Sequence, residues 1–410
     1  METGRGIVAD AVVIGAGAFG LWSALALARR GARVMVVEAG DGPGAGASAT
    51  PVGALTPFPR AEAGDPLAAL QAAGLMAWPA MAAALEAETG MAPGYAVCGR
   101  LVALADPAAR GRAEADLPAL RARLPLAPGG APARWAVEAM PSLAGLLAPD
   151  AVAAGGMVET VSARVNAPRY LEALAGALAG ALGRAGGRLL PRWPVAAVRP
   201  DGAGWAVEGP AGRIATAAVV AASGWDAAAL LGRLAGNGDG RGASPEVAAA
   251  GLDRTGRAVR GQAARLRLGA GRGHPPLPDA LPLIQASGLY VVHHGGGRVG
   301  VGATREPGAS GAGTDGRLDT LIARAVALVP ALAGAEVEAR WSGVRPRPPG
   351  RLPQVGPLPG RPGLWLASGG HGIGLALAHV VGPALAGAIA GDTEPPPPGL
   401  PALAPRPAPR

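Results

Sequence analysis

Residues 11–40, AVVIGAGAFGLWSALALARRGARVMVVEAG, constrain the fold more than any other stretch of the chain. AVVIG is a β-branched apolar run of the kind that forms a strand buried on both faces. Gly15, Gly17 and Gly20 then spell G-x-G-x-x-G. AFGLWSALALARR repeats apolar residues at helical spacing and stops at Gly31, a residue suited to the position just past a helix. ARVMVVE reads as a second buried strand, so the stretch is a βαβ unit. Gly15 permits a tight turn, Gly17 lets the backbone approach a pyrophosphate, and Gly20 lets helix and strand pack closely. The helix start at Ala18 and Phe19 offers free N–H groups and a positive dipole end to phosphates. Glu38, followed by Ala39, ends the second strand, where a carboxylate accepts hydrogen bonds from ribose hydroxyls. An acid there also repels a 2′-phosphate, which argues against NADP.

Composition narrows the partners. With 410 residues, 50% of them hydrophobic and 16% charged, the chain is long enough for two domains around a sizeable core. The formal charge is +8, yet the arginines are scattered, not clustered with aromatics, so no nucleic-acid partner is expected. The single cysteine, Cys98, excludes an internal disulfide and a cysteine-based metal site, and no His/Asp/Glu cluster has metal-ligand spacing. Glu2, Asp10 and the interrupting glycines argue against a secretion signal. With no uninterrupted apolar run of about 18 residues seen for a membrane span, a cytoplasmic protein is expected.

Residues beyond the βαβ unit separate FAD from NAD. After Glu38 comes AGDGPGAGASATPVGALTPF, a run of small residues too long for a tight turn. Such a loop, with Ser48, Ala49, Gly53 and Ala54, can lie along a flavin and contact it through its backbone. RIATAAVVAASGWDAAALL reads as a buried strand ending at Gly224, and GLWLASGGHGIGLALAHVVGPALAGAIAG as strand, glycine turn and helix. The second helix start, at Gly370–Gly374, could stabilise the negative charge of a reduced flavin edge.

These segments, with GASATPVGAL, VRGQ, LYVVHHGGGRVGVGAT, WSGVRPRPPGRLPQVGP and GGHGIGLALA in this order, resemble the FAD-dependent amino acid oxidase family, which includes glycine oxidase and D-amino acid oxidase. The resemblance runs from about residue 8 to 392. It implies noncovalent FAD on a discontinuous α/β, Rossmann-like domain, with substrate held by a second, α+β domain built on a mostly antiparallel sheet. Arg345 falls where the family places its carboxylate-binding arginine, with Arg347 as the fallback, and Tyr290 where a tyrosine often closes the pocket. Val195 matches a segment that meets the adenine; Gly370, His371, Gly372, Ile373 and Gly374 match the flavin-edge turn. His294 is in phase with Tyr290 on a strand and His293 is not. The chain departs from the pattern too. Gly350 and Arg351 stand where glycine oxidases often carry an acid. The absence of any lysine removes the oxygen-activating lysine of sarcosine-oxidase-like enzymes.

The expected activity is oxidative deamination of a small amino acid, of glycine or D-amino acid type, at a CH–NH₂ or CH–NH group. Hydride passes from the α-carbon to flavin, and the imine hydrolyses to a 2-oxo acid and ammonia. The electron acceptor is dioxygen or another carrier. Two alternatives stand beside this: oxidation of a modified tRNA base, and a flavin-binding subunit without turnover of its own. The expected segments are 8–60, 153–232 and 340–392 for the FAD domain and 61–152 and 233–339 for the substrate domain. The loop 233–250 is expected to be mobile, and the Pro-rich tail 393–410 disordered.

Overall fold

The computed structural model describes residues 7–57, 64–139, 144–227, 230, 257–269, 277 and 281–401; the loop 233–250 lies outside them. Strand β1 (Ile7–Ile14) is central in an eight-stranded sheet. It pairs in parallel with β2 (Val34–Val37) and with β12 (Gly212–Ala221), and β9 (Arg188–Leu190) continues in parallel beyond β2. Strands β10 (Ala197–Asp201) and β11 (Gly204–Gly209) form an antiparallel meander onto the start of β12. The end of β12 pairs in parallel with β20 (Leu364–Ser368), which carries β19 (Gln354–Pro357) antiparallel. The sheet alternates as a strand buried on both sides must. Val13, Val34 and Val36 pack on helices, while Val12, Ile14, Met35 and Val37 face Trp193, Trp205 and Val207.

The helical layer holds α1 (Ala18–Arg29), α2 (Pro66–Thr89), α4 (Ala167–Ala185) and α6 (Gly374–Ala390). Two glycines set its spacing. A Cβ at Gly382 of α6 would lie 2.5 Å from Trp22 Cβ, and one at Gly74 of α2 would lie 2.0 Å from the Ala376 carbonyl oxygen. Trp22 Nε1 donates to the Tyr170 hydroxyl at 2.6 Å across this layer. Helix α2 corrects one expectation: it is long and apolar enough, by length and composition, to cross a membrane. Its run from Leu67 to Leu85 contains no charged residue. Leu70, Leu75, Trp78 and Leu85 of that helix are buried among the other helices.

The second body is a nine-stranded sheet, in the order β17 (Glu306–Pro307), β13 (Arg257–Arg267), β16 (Arg298–Gly302), β15 (Leu289–His293), β14 (Leu283–Ala286), β5 (Arg100–Ala103), β7 (Gly156–Glu159), β6 (Trp135–Glu138), with β18 (Glu336–Arg347) also on β13. Only the β14–β5 pairing is parallel. Helix α5 (Gly316–Leu328) covers one face through Leu318, Leu321, Ala325 and Leu328, and α3 (Pro107–Arg123) packs by the β6–β7 edge. The other face meets the first body. A short sheet of β3 (Ala54–Leu55), β8 (Ala163–Arg164) and β4 (Ala96–Val97) joins the connecting segments. The α/β architecture with a second, mostly antiparallel sheet is the one expected.

The tail departs from expectation. Residues 393–401 are described, and Leu400 is buried in the main core. A Cβ at Gly399 would lie 1.8 Å from the Pro66 carbonyl oxygen. The prolines fix φ, which lowers the entropy lost on ordering, and one leucine docks the segment on the start of α2. Residues 402–410 lie outside those described.

Candidate active site

The first glycine turn is shaped by close approach. Gly15 has φ +104°, and a Cβ there would lie 2.6 Å from the Ala222 carbonyl oxygen; one at Gly20 would lie 2.0 Å from the Gly15 oxygen. Gly17 differs, because its nearest obstacle is the Ser48 hydroxyl at 3.2 Å. That glycine leaves room in front of the helix instead of packing against it. The Ser48 hydroxyl also accepts from the Ala18 N–H at 2.9 Å, which ties the 47–56 loop to the helix start. Glu38 accepts from the Ala16 N–H and from the Gly40 N–H, each at 2.7 Å. Each carboxylate oxygen keeps a lone pair for a further donor. Val195 follows a segment locked to this edge: Trp193 N–H donates to the Glu38 carbonyl and Arg192 N–H to that of Gly40, at 2.7 and 2.8 Å. Gly224, with φ +84°, opens the turn after β12 and accepts from the Ser368 hydroxyl at 2.5 Å.

The second glycine turn meets the first. A Cβ at Gly370 would lie 3.2 Å from Phe19 Cζ, so the bend before α6 sits on the first turn of α1. His371 has φ +41° and donates its N–H to the Pro346 carbonyl at 3.0 Å. Its Nε2 is buried with no partner among the described residues. Burial, then Arg345, Arg305 and Arg347, pull its pKa down to about 4, so the ring is neutral at physiological pH.

Sheet register brings the remaining residues together. Tyr290 pairs with Gly302, Gly302 with Ala263 and Ala263 with Trp341, so all four share a face, and Arg345 follows on it four residues after Trp341. This face meets the loop between Ser48 and Thr56. Trp341 Nε1 donates to the Thr50 carbonyl at 2.6 Å, and the Tyr290 hydroxyl lies 3.4 Å from that of Thr56. His294 Nε2 lies 2.9 Å from the Val52 carbonyl, which fixes the Nε2–H tautomer. Burial lowers the His294 pKa and keeps it neutral. A Cβ at Gly53 would lie 1.9 Å from the Val165 oxygen, so Ala54 enters the short joining sheet through a bend that only glycine fits.

Arg345 is partly buried, and its guanidinium lies over Gly261, where a Cβ would come within 2.2 Å of Nη2. Among the described residues its guanidinium makes one hydrogen bond, from Nη1 to the Thr304 carbonyl at 3.1 Å, and no ion pair. Burial, then Arg305, hold its pKa below the usual value, with the group still cationic at neutral pH. A desolvated cation with free donors binds an anion with bidentate geometry. Gly261, Thr304, Thr50 and Trp341 were not singled out from sequence. Gly261 stands inside the VRGQ segment and Trp341 inside WSGVRP, but only strand pairing shows what they touch.

A family model described as FAD dependent oxidoreductase matches residues 10–388. The chain belongs to that family. It is 32% identical over 383 residues to a glycine oxidase of Geobacillus kaustophilus, a match covering 91% of this chain and 90% of the relative. A glycine oxidase of Pseudomonas putida is 43% identical over 102 residues, 24% of this chain and 28% of that one. Among solved structures, glycine oxidase from Geobacillus kaustophilus superposes with a TM-score of 0.79 at 29% identity, covering 95% of this chain and 96% of that one. L-proline dehydrogenase from P. horikoshii shares the fold, with a TM-score of 0.71 at 17% identity, covering 95% of each chain. The protein is thus an FAD-dependent oxidoreductase, and its residues fit the cofactor. The open cradle at Gly17, the carboxylate of Glu38 beside it, and the buried unpartnered Nε2 of His371 on the converging turn supply what pyrophosphate, ribose and flavin require.

Proposed function

We propose that this FAD-dependent oxidoreductase oxidises the CH–NH bond of a small amino acid, of glycine or D-amino acid type, and releases an imine that water hydrolyses to a 2-oxo acid and ammonia. The observation that carries this reading is Arg345: partly buried, cationic, without a carboxylate partner among the described residues, and on the sheet face that meets the 48–56 loop. When bound, FAD takes up the two electrons and the hydrogen leaving the α-carbon.

The protein's own part is placement. Arg345 holds the substrate carboxylate and orients the α-carbon, and Tyr290 with Thr56 closes the other side. Arg345, Arg305 and Arg347, the same cations that depress His371, also disfavour a nearby substrate ammonium. They favour the neutral amine, so no side-chain base is needed. FAD is held without a covalent bond, as the family resemblance implies, and burial raises the pKa of Cys98 to about 11, so that side chain stays a thiol at neutral pH. The electrons pass on to dioxygen, giving hydrogen peroxide, or to another carrier, and the proposed location is the cytoplasm.

The test uses the FAD-loaded enzyme. Glycine and small D- and L-amino acids are screened for anaerobic flavin bleaching and then for peroxide release in air. Two charge-assisted hydrogen bonds are worth about 3 kcal/mol or more, so Arg345→Ala should raise KM about 100-fold or more with FAD content unchanged. An unchanged KM, or no bleaching by any amino acid, removes the proposal.

A further inference from the structure

The charge around Arg345 is arranged in two layers. On one side of the β13–β17 edge the charges are matched. Glu306 is held by Arg260, Arg317, Gln262 and the Thr304 hydroxyl, and Asp315 by Arg260 and Gln262. On the other side they are not. Arg305 falls between Thr304 and Glu306, whose side chains both turn toward Gln262. Arg347 lies on β18 two residues beyond Arg345, on the same face. Pro346, between the two arginines, receives the His371 N–H, so both flank the turn that meets Phe19. Arg305 and Arg347 are exposed, Arg345 is partly buried, and among the described residues none of the three has an ion pair. Arg305 lowers the pKa of Arg345, and all three arginines lower that of His371, as neighbouring cations do. Glu306 acts on Arg345 in the opposite sense to Arg305 and after it in size, while its own hydrogen bonds come from Arg260, Arg317, Gln262 and Thr304.

Three cations graded from rim to interior exceed what one carboxylate needs. We propose that the site takes small amino acids with a second carboxylate, Arg345 holding the α-carboxylate and Arg305 and Arg347 meeting the second anion at the rim. This rests on the amino-acid reading above and names its substrate class. Like-charged side chains repel one another in the free enzyme, and a dianion relieves that repulsion where a monoanion relieves part of it.

Aspartate and asparagine differ at one group and are nearly the same size, so they isolate the charge. With the FAD-loaded enzyme, kcat/KM for both enantiomers of each should favour aspartate over asparagine about fivefold to tenfold at low salt, the scale of two exposed ion pairs. The preference should shrink as ionic strength rises. The double variant Arg305→Gln, Arg347→Gln should bring the ratio to about one. Binding is read separately from turnover by the change in flavin absorbance with malonate against acetate, neither of which can be oxidised at a C–N bond. Wild type should bind malonate more tightly, and the double variant should lose that difference. Equal affinity for malonate and acetate, asparagine favoured over aspartate, or a ratio unmoved in the double variant overturns the proposal. If glycine bleaches the flavin while these tests fail, the amino-acid reading stands without its substrate class. If no amino acid bleaches it, that reading has failed first.

Discussion

Arg345 rests on Gly261: across the β13–β18 pairing, a Cβ at Gly261 would lie 2.2 Å from Nη2 and 2.5 Å from Cζ of the arginine. The obstructed atoms are the far end of a flexible side chain and not backbone. Gly261→Ala should therefore tilt the guanidinium while leaving the sheet intact. We expect KM for the amino acid to rise about tenfold or more, with stability changed by about 1 kcal/mol at most. Steady-state kinetics beside urea unfolding would show it, and an unaltered KM would mean that the guanidinium does not touch substrate.

Gly20 presents the opposite case. Its absent Cβ would meet the Gly15 carbonyl oxygen at 2.0 Å, and backbone there has nowhere to go. Gly20→Ala should separate α1 from the Gly15 turn, the one expected to face the pyrophosphate. The purified variant should carry little FAD and unfold at distinctly lower urea, a loss of about 4 kcal/mol or more. A variant with full FAD occupancy and wild-type stability contradicts this packing.

His379 gives the enzyme an acid-sensitive core. It is buried beside Trp22 and Trp78, with Nε2 3.0 Å from the Gly74 carbonyl, and burial lowers its pKa to about 4. In the unfolded chain the ring titrates near 6.5. Between those values the unfolded state binds the extra proton, so stability is full above about pH 6.5 and falls as pH drops toward about 4. The loss across that window is about 3 kcal/mol at most. His379→Gln keeps a donor for Gly74 and should flatten the slope of unfolding free energy between pH 4 and 6.5; the same slope in both proteins would assign the acid sensitivity elsewhere.

Trp22 and Tyr170 test the helical layer. The indole N–H donates to a hydroxyl that is fully buried. Trp22→Phe removes the donor and leaves part of its volume empty, so we expect a loss of about 2–4 kcal/mol in chemical denaturation. A change below about 0.5 kcal/mol would show that the bond contributes nothing net.

Much of this site was legible in the chain because its signals are local. The strand, G-x-G-x-x-G, helix and Glu38 stand within residues 11–40, and Ser368 to Gly374 repeats the strand-turn-helix punctuation. The structure brings the two turns together through Phe19 and Gly370. What stayed hidden depends on pairing between distant segments. Nothing near Gly261 in sequence says that Arg345 will lie over it, and nothing near Thr50 says that Gly343 and Trp341 will close on it. The proline-rich tail misled because composition averages over a segment, whereas docking needed one leucine, Leu400. Helix α2 misled in the other direction. Its Gln71, Gly74 and Pro79 break the apolar run as letters, yet the helix holds together and buries its large side chains among its neighbours.

The hydrogen bond from His371 to Pro346 couples two parts of the molecule that would otherwise vary independently. The peptide that follows Arg345 is the one that anchors the bend expected to cradle the flavin edge. A sideways slip of β18 would carry that bend with it and misplace both reactants at once. Diversification of what this scaffold accepts is thereby confined to exchanging side chains around a backbone that cannot drift, and Arg305 and Arg347, at the outer margin, are where such exchange is least costly.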